Sequence, residues 1–443
     1  MADEEFCGTR LIYQTPHAER TADSAGPRSQ HPIAQDPFSC GPNSAVTHVR
    51  TRSDFCRSKR KIPGPGSLSK RSPAPARPRR GAIAEARAGG VWEDRRVILS
   101  PLPETPAVSF VMPVLNEADF LADAVGTILE QDYAGEKEIV LALGPSTDGT
   151  DEIARALAAR DPRVRLVANP ERDIPAGLNL AISASSHPVI IRVDAHSELT
   201  PDYTRLGIAA LRREGAANVG GIMRAAGRTP VQRAIARGYN SPYGLGGGAY
   251  HGDGIPGPAE SAYLGIFRRE ALEAVGGYDP QILRGEDWEL NLRLRRAGFT
   301  VWFEPELGVT YWPRASFTDL ARQFFATGTW RAMLVRKYGR ANPWRFFVPG
   351  ALVISLAISA IGLALLSAGI LPWGSPWVLL LAPAACYLIG VAFATIRIPE
   401  QHGLRDRALT AWTLITMHLS WGSGFLRGLC FGAGSVVDRS RIR

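Results

Sequence analysis

From Ala107 to Val114 the chain is apolar with almost no alternation, the pattern of a strand covered on both faces. Asn116-Glu117 then opens a helical period that runs to about Gln131, with Phe120, Leu121, Val125, Ile128 and Leu129 on one side. Lys137–Leu143 reads as a second strand, and Ser146-Thr147-Asp148-Gly149-Thr150 starts the next helix. Val164–Ala168, a helix from Pro175 to Ser185, and Val189–Val193 continue the series. Strand and helix alternating at this spacing predict an α/β fold with a mostly parallel, twisted sheet and right-handed crossovers. Further on, Tyr263–Phe267 reads as a strand, Glu286 to Ala297 as a helix, and Phe317 to Lys337 as an amphipathic helix.

The pattern changes at Phe346. From there to Ile396 the chain has no Asp, Glu, Lys or Arg, enough for two membrane spans of about 20 residues each. Pro372, Gly374 and Pro376 mark a turn between spans near Pro349–Leu371 and Trp377–Ile396, and Trp373 and Trp377 suit a lipid–water interface. Arg331, Arg336, Lys337, Arg340 and Arg345 precede the first span, and Arg397, Arg405 and Arg407 follow the second. The turn carries no charge, so the positive-inside rule predicts a multi-pass inner-membrane protein with everything N-terminal of the spans in the cytoplasm. A hydrophobic hairpin buried in a soluble protein is the competing reading. Ala408 to Phe431 is apolar as well but contains His418, Arg427 and several glycines; whether it is a third span, a re-entrant segment or an interfacial helix stays open.

Charge adds less than its total suggests. The net +9 is concentrated in the first 100 residues, where Arg57 to Arg80 alone holds nine Lys or Arg and no acid. That tail is expected to be disordered and gives no case for a specific nucleic-acid partner. It reads either as a basic arm for anionic surfaces or as a non-functional extension. The five cysteines show no disulfide framework and no metal spacing. The expected organisation is a tail at 1–100, a catalytic domain at 101–315, a juxtamembrane helix at 316–345, a membrane region at 346–431 and a basic end at 432–443.

Two acidic features carry candidate chemistry. Asp194-Ala195-His196 follows an apolar strand, at the end where open α/β sheets bind ligands, and a carboxylate with an imidazole there can hold a divalent cation against a phosphate. The plainer reading is a strand-to-loop turn. Glu286-Asp287 opens a helix, whose N-terminus stabilises carboxylates; both are either first-turn acids or a base and its neighbour.

With these residues in view the resemblance is plain. Met112-Pro113-Val114-Leu115-Asn116-Glu117, Ser146 to Thr150, Arg192 to His196, Tyr263 to Arg269 and Gly285 to Asn291 stand in the order found in family 2 glycosyltransferases with the GT-A fold. From about Ala107 to Tyr338 the chain resembles the membrane-attached succinoglycan-type exopolysaccharide transferases. The resemblance implies a metal site at Asp194 and His196, with Mn²⁺ favoured over Mg²⁺ because imidazole prefers softer ions than carboxylate does. His196 touching sugar or phosphate, with Asp194 alone on the metal, is the other reading. The resemblance also implies nucleotide-sugar contacts at Pro113, Asn116, Glu117 and Asp194, and Asp287 as catalytic base with Glu286 beside the acceptor. Related enzymes carry a Gln-x-x-Arg-Trp element, which Gln323, Trp330 and Arg331 match loosely on the donor or acceptor side. Arg331 binds a diphosphate or is a juxtamembrane positive charge. The acidic pair that many relatives carry after the second strand is replaced here by Leu143-Gly144-Pro145, which puts base recognition at that position in doubt.

The implied activity is inverting transfer from a nucleotide-diphosphate sugar, UDP-linked by resemblance, to a polyprenyl-linked saccharide or growing polysaccharide. The alternatives are transfer to polyprenyl phosphate itself, or a non-catalytic glycan-binding scaffold. The glycine-rich stretch from Gly244 to Gly254, with His251, is expected to form a mobile loop.

Overall fold

The structure, a computed structural model, describes residues 98–245, 254–434 and 436. The basic tail and residues 246–253 of the glycine-rich stretch, with His251, lie outside the described residues.

In chain order the catalytic half contains β1 (Val108–Val114), α1 (Leu121–Leu129), β2 (Lys137–Leu143), α2 (Thr150–Arg160), β3 (Val164–Ala168), α3 (Ile174–Ala184) and β4 (Val189–Arg192). There follow β5 (Ser197–Leu199), α4 (Tyr203–Arg213), β6 (Asn218–Ala225), α5 (Pro230–Tyr239), α6 (Pro242–Leu245), β7 (Gly257–Pro258), β8 (Tyr263–Arg268), α7 (Arg269–Ala274), α8 (Glu286–Arg296) and β9 (Val301–Tyr311). The described strands form one sheet in the order β3-β2-β1-β4-β8-β6-β9-β5, with β7 paired to β9. Pairing is parallel across β3, β2, β1 and β4, as the alternation of elements requires. Beyond β4 the sheet is mixed: β8 is antiparallel to both neighbours, and β6 pairs β9 in parallel.

The unbroken apolar strands are covered on both faces, and successive side chains divide between the two. Phe110 and Met112 pack with Leu121, Val125 and Ile128 of α1 and Tyr203 and Leu211 of α4. Val111, Val140 and Ala142 pack on the other side with Leu178 of α3 and Leu290 and Leu294 of α8.

One boundary differs from the sequence reading. The helix expected from Asn116 starts at Leu121, because Asn116 takes a left-handed conformation with φ 53°. Residues 115 to 120 are used instead as a loop braced against the one after β2. Asn116 Oδ1 accepts from the Thr147 amide at 2.8 Å, the Glu117 amide donates to Thr150 Oγ1 at 2.8 Å, and the Ala118 amide donates to Asp148 Oδ2 at 3.1 Å.

The second half is helical: α9 (Phe317–Tyr338), α10 (Val348–Ser367), α11 (Ala382–Arg397) and α12 (Leu404–Phe431). With the 3₁₀ turns that precede them, α10 and α11 form apolar stretches of 24 and 22 residues, long enough to cross a membrane, whose most apolar 18-residue windows have mean hydropathies of 2.3 and 2.2. The stretch left open at 408–431 belongs to α12, which packs along α9. A side chain at Gly424 would collide with the Phe325 carbonyl, so the two backbones approach through glycine. Arg237 of α5 ties the start of α12 through Asp406 at 3.1 Å.

Candidate active site

The parallel strands β1 and β4 end on the same side of the sheet, so the loops after them share one cleft. β4 ends at Arg192, whose side chain is 4% exposed. A buried guanidinium has to be paired, and here it meets three carboxylates. Its Nη2 lies 3.1 Å from Asp194 Oδ1 and 3.1 Å from Glu286 Oε1, and its Nη1 donates to Asp287 Oδ1. Arg192 thus joins the end of β4 to the start of α8, across more than 90 residues of sequence. Gly285 at the head of α8 has φ 76°, a left-handed turn that glycine permits and that presents both acids toward the strand end.

Burial by itself would lower the Arg192 pKa; the carboxylates of Asp194, Asp287 and Glu286 outweigh it and push it well above its ordinary value. Asp287 moves the other way, from 3.8 up to about 7. Burial is the main cause, and repulsion from Glu286 and Asp194 adds to it against the pull of Arg192. A quarter of the Asp287 side chain (26%) still reaches the cleft, so the group is accessible to a substrate.

His196 faces a different partner. Its Nδ1 stands 3.2 Å from Oε1 of the buried Glu117, and its ring meets Tyr311 edge-on at 5.3 Å. A carboxylate on one ring nitrogen is the usual means of orienting a histidine that ligates a metal through the other. Asp194 and His196 therefore have suitable chemistry for a divalent cation. Among the described residues no group of three or more His, Cys, Asp and Glu is arranged to hold one.

The remaining candidates divide. Pro113 sits near the end of β1, in register with Ala142. Asn116 and Asp148 brace the loops at the cleft rim; burial would raise the Asp148 pKa, but hydrogen bonds from Thr150 and Ala118 hold it below the usual range. Gln323 lies between two phenols, accepting from Tyr239 Oη at 3.1 Å and donating to Tyr311 Oη at 3.3 Å, and so reaches the His196 side of the cleft through Tyr311. Trp330 is buried, and its indole N–H donates to the Val436 carbonyl at 2.7 Å, which places it against the C-terminal segment. Arg331 stacks on Phe346 at 4.2 Å and on Trp288 at 5.3 Å, beside the start of α8.

Sequence reasoning missed Arg192 as the centre of the cluster, although a charge inside the run Val189–Val193 was a usable signal. It also missed Tyr239 and Tyr311, which look like ordinary core aromatics in sequence.

This sheet, with its strand-end acids and the acids of α8 in one cleft, defines the GT-A fold of nucleotide-sugar glycosyltransferases. The mannosyltransferase PcManGT from Pyrobaculum calidifontis, solved in complex with GDP-Man and Mn²⁺, matches with a TM-score of 0.52 at 21% identity, covering 73% of this chain and 87% of that one. Residues 109–276 match the model of glycosyl transferase family 2. Succinoglycan biosynthesis protein ExoA of Rhizobium meliloti (strain 1021) is 33% identical over 323 residues, 72% of this chain and 94% of ExoA. The chain belongs to glycosyl transferase family 2. It is also 25% identical over 268 residues to a Methanococcus voltae enzyme, dolichyl N-acetyl-alpha-D-glucosaminyl phosphate 3-beta-D-2,3-diacetamido-2,3-dideoxy-beta-D-glucuronosyltransferase, covering 58% of this chain and 82% of that protein.

Proposed function

We propose that the protein is a membrane-bound inverting glycosyltransferase that moves a sugar from a nucleotide-diphosphate donor, UDP-linked by resemblance, to a polyprenyl-linked saccharide or growing polysaccharide. The observation that carries this reading is the Arg192 cluster, which sets the strand-end acid Asp194 and the helix acids Glu286 and Asp287 around one guanidinium. In a single displacement the acceptor oxygen bonds to the anomeric carbon as the bond to the diphosphate breaks, and the hydroxyl proton must leave. Asp287 takes that proton: near neutrality it is poised between its two forms, as a general base should be. Glu286 lies beside it to hold the acceptor. Glu117 and Asn116 line the donor end, and Gln323 positions the Tyr311 wall. A divalent cation held by Asp194 and His196, Mn²⁺ favoured over Mg²⁺, would neutralise the departing diphosphate.

The names of two relatives support the acceptor class, one in succinoglycan biosynthesis and one acting on a dolichyl-linked sugar phosphate. The apolar α10 and α11 and their basic flanks support attachment to the membrane with the catalytic domain in the cytoplasm. A panel of nucleotide sugars, assayed with divalent cation and membrane lipid extract, identifies the donor. In that assay Asp287→Asn should lower transfer by about 10²–10⁴-fold while donor binding, read by calorimetry, stays near wild type. Full transfer by Asp287→Asn rules out the assigned base.

A further inference from the structure

A cavity of about 420 Å³ lies among α6, α10, α11 and α12, well within the roughly 300–1,000 Å³ of ligand pockets. Its polar groups are already spent on one another. The Tyr243 carbonyl can only accept, so His418 Nε2 carries the hydrogen of their 2.7 Å bond. The other ring nitrogen, Nδ1, then accepts from Tyr387 Oη at 3.2 Å. Ser355 Oγ donates to its own helix at Leu352 O, 2.8 Å away. What these groups leave for a guest is apolar surface from Leu352, Val391, Ala394 and Leu414.

Gly390 supplies the other unusual feature. A glycine in the middle of a helix is destabilising relative to alanine, yet α11 carries one on the cavity wall. A Cβ built there would meet nothing within 4 Å, so the missing side chain leaves room rather than relieving a clash. Only 22% and 17% of the most apolar windows of the two spans are buried inside the protein, so the cavity lies among helices whose outer surface needs an apolar solvent.

Its position selects one apolar guest. Tyr243 closely follows Tyr239, whose hydroxyl bonds Gln323 and whose ring lies 5.5 Å from Tyr311, the neighbour of His196. One short segment, Tyr239 to Tyr243, thus touches both the catalytic wall and the cavity. A bulk phospholipid gains nothing from that proximity; an acceptor lipid must have its head at Asp287 and its tail in the membrane. We infer that this cavity holds part of the polyprenyl chain of a lipid diphosphate acceptor, which rests on the membrane-acceptor reading above and adds to it a binding site for the tail.

The test uses the full chain in detergent micelles and a fluorescent long-chain polyprenyl diphosphate as probe. Gly390→Leu should weaken binding on the order of tenfold, the loss of about two methylene contacts, while Gly390→Ala stays close to wild type. In the unaltered protein, alkylation of Cys386 on the cavity wall, followed by peptide mass spectrometry, should slow severalfold with the probe and not with added phosphatidylglycerol. Probe binding that Gly390→Leu leaves intact, or equal protection of Cys386 by phosphatidylglycerol, overturns the cavity assignment and spares the lipid-acceptor reading. No binding of the probe to wild type overturns that reading, and the inference falls with it.

Discussion

Two polar clusters among the described residues, one at the sheet end and one in the helical half, are built on opposite principles. At the sheet end, one guanidinium faces three carboxylates, and burial, with repulsion from the other two acids, leaves Asp287 holding its proton up to about pH 7. In the helical half, His418, Tyr387 and the Tyr243 carbonyl form a neutral chain in which each donor has its acceptor. An arrangement with surplus negative charge is unfinished without a cation and a proton acceptor role. A closed one asks nothing polar of its surroundings. It is charge left uncompensated that marks the sheet end as the candidate for chemistry.

The sharpest way to break the comparison is to remove the guanidinium. Arg192→Met leaves three neighbouring acids without their counter-charge and should cost about 3–5 kcal/mol in denaturant titration. Arg192→Lys keeps the charge without the planar fork and should lose less. Equal stability of Arg192→Met and wild type would show that the acids do not depend on Arg192. A smaller effect is expected from Glu117→Gln, which removes the charge that orients His196. Cation affinity, measured by calorimetry with Mn²⁺ and with Mg²⁺, should weaken by about 10–100-fold; an unchanged affinity would detach His196 from the metal. The smallest effect belongs to the closed cluster. Tyr387→Phe strands one ring nitrogen of His418 and should lower stability by about 1 kcal/mol. A loss as large as that of Arg192→Met would make the two clusters alike and remove the distinction.

Much of the first half of the fold was legible in sequence, because β1 to β4 are apolar runs separated by helical periods and parallel strands require such crossovers. Beyond β4 single elements were still legible, β8, α8 and α9 among them, but the pairing of the strands was not. The antiparallel placement of β8 between β4 and β6 depends on pairing between distant segments, which no local period records. The acids at 194, 286 and 287 were found by motif, but their common partner was not. Arg192 lies within the motif, but a single charge in a strand does not say what it faces. Asn116 was read as opening a helix, because its left-handed turn serves the neighbouring loop and not its own segment. Likewise, α12 was ambiguous while its apolar content was judged alone; its glycines become intelligible only against the backbone of α9.

The proposed role of the Arg192 cluster is to hold Asp287 ready to take a proton near neutral pH. Its folded value of about 7 lies above the ordinary 3.8, so its contribution to stability is fully present below about pH 4 and is lost as pH rises through 7. The basic form, and with it transfer, grows in over the upper part of that range, and a bound cation should move the whole transition to lower pH. Infrared titration of the protonated carboxyl band in cation-free protein, with Asp287→Asn as the blank, tests this directly. The account predicts a band half lost near pH 7 and absent from Asp287→Asn. A band already gone by pH 5 would contradict it.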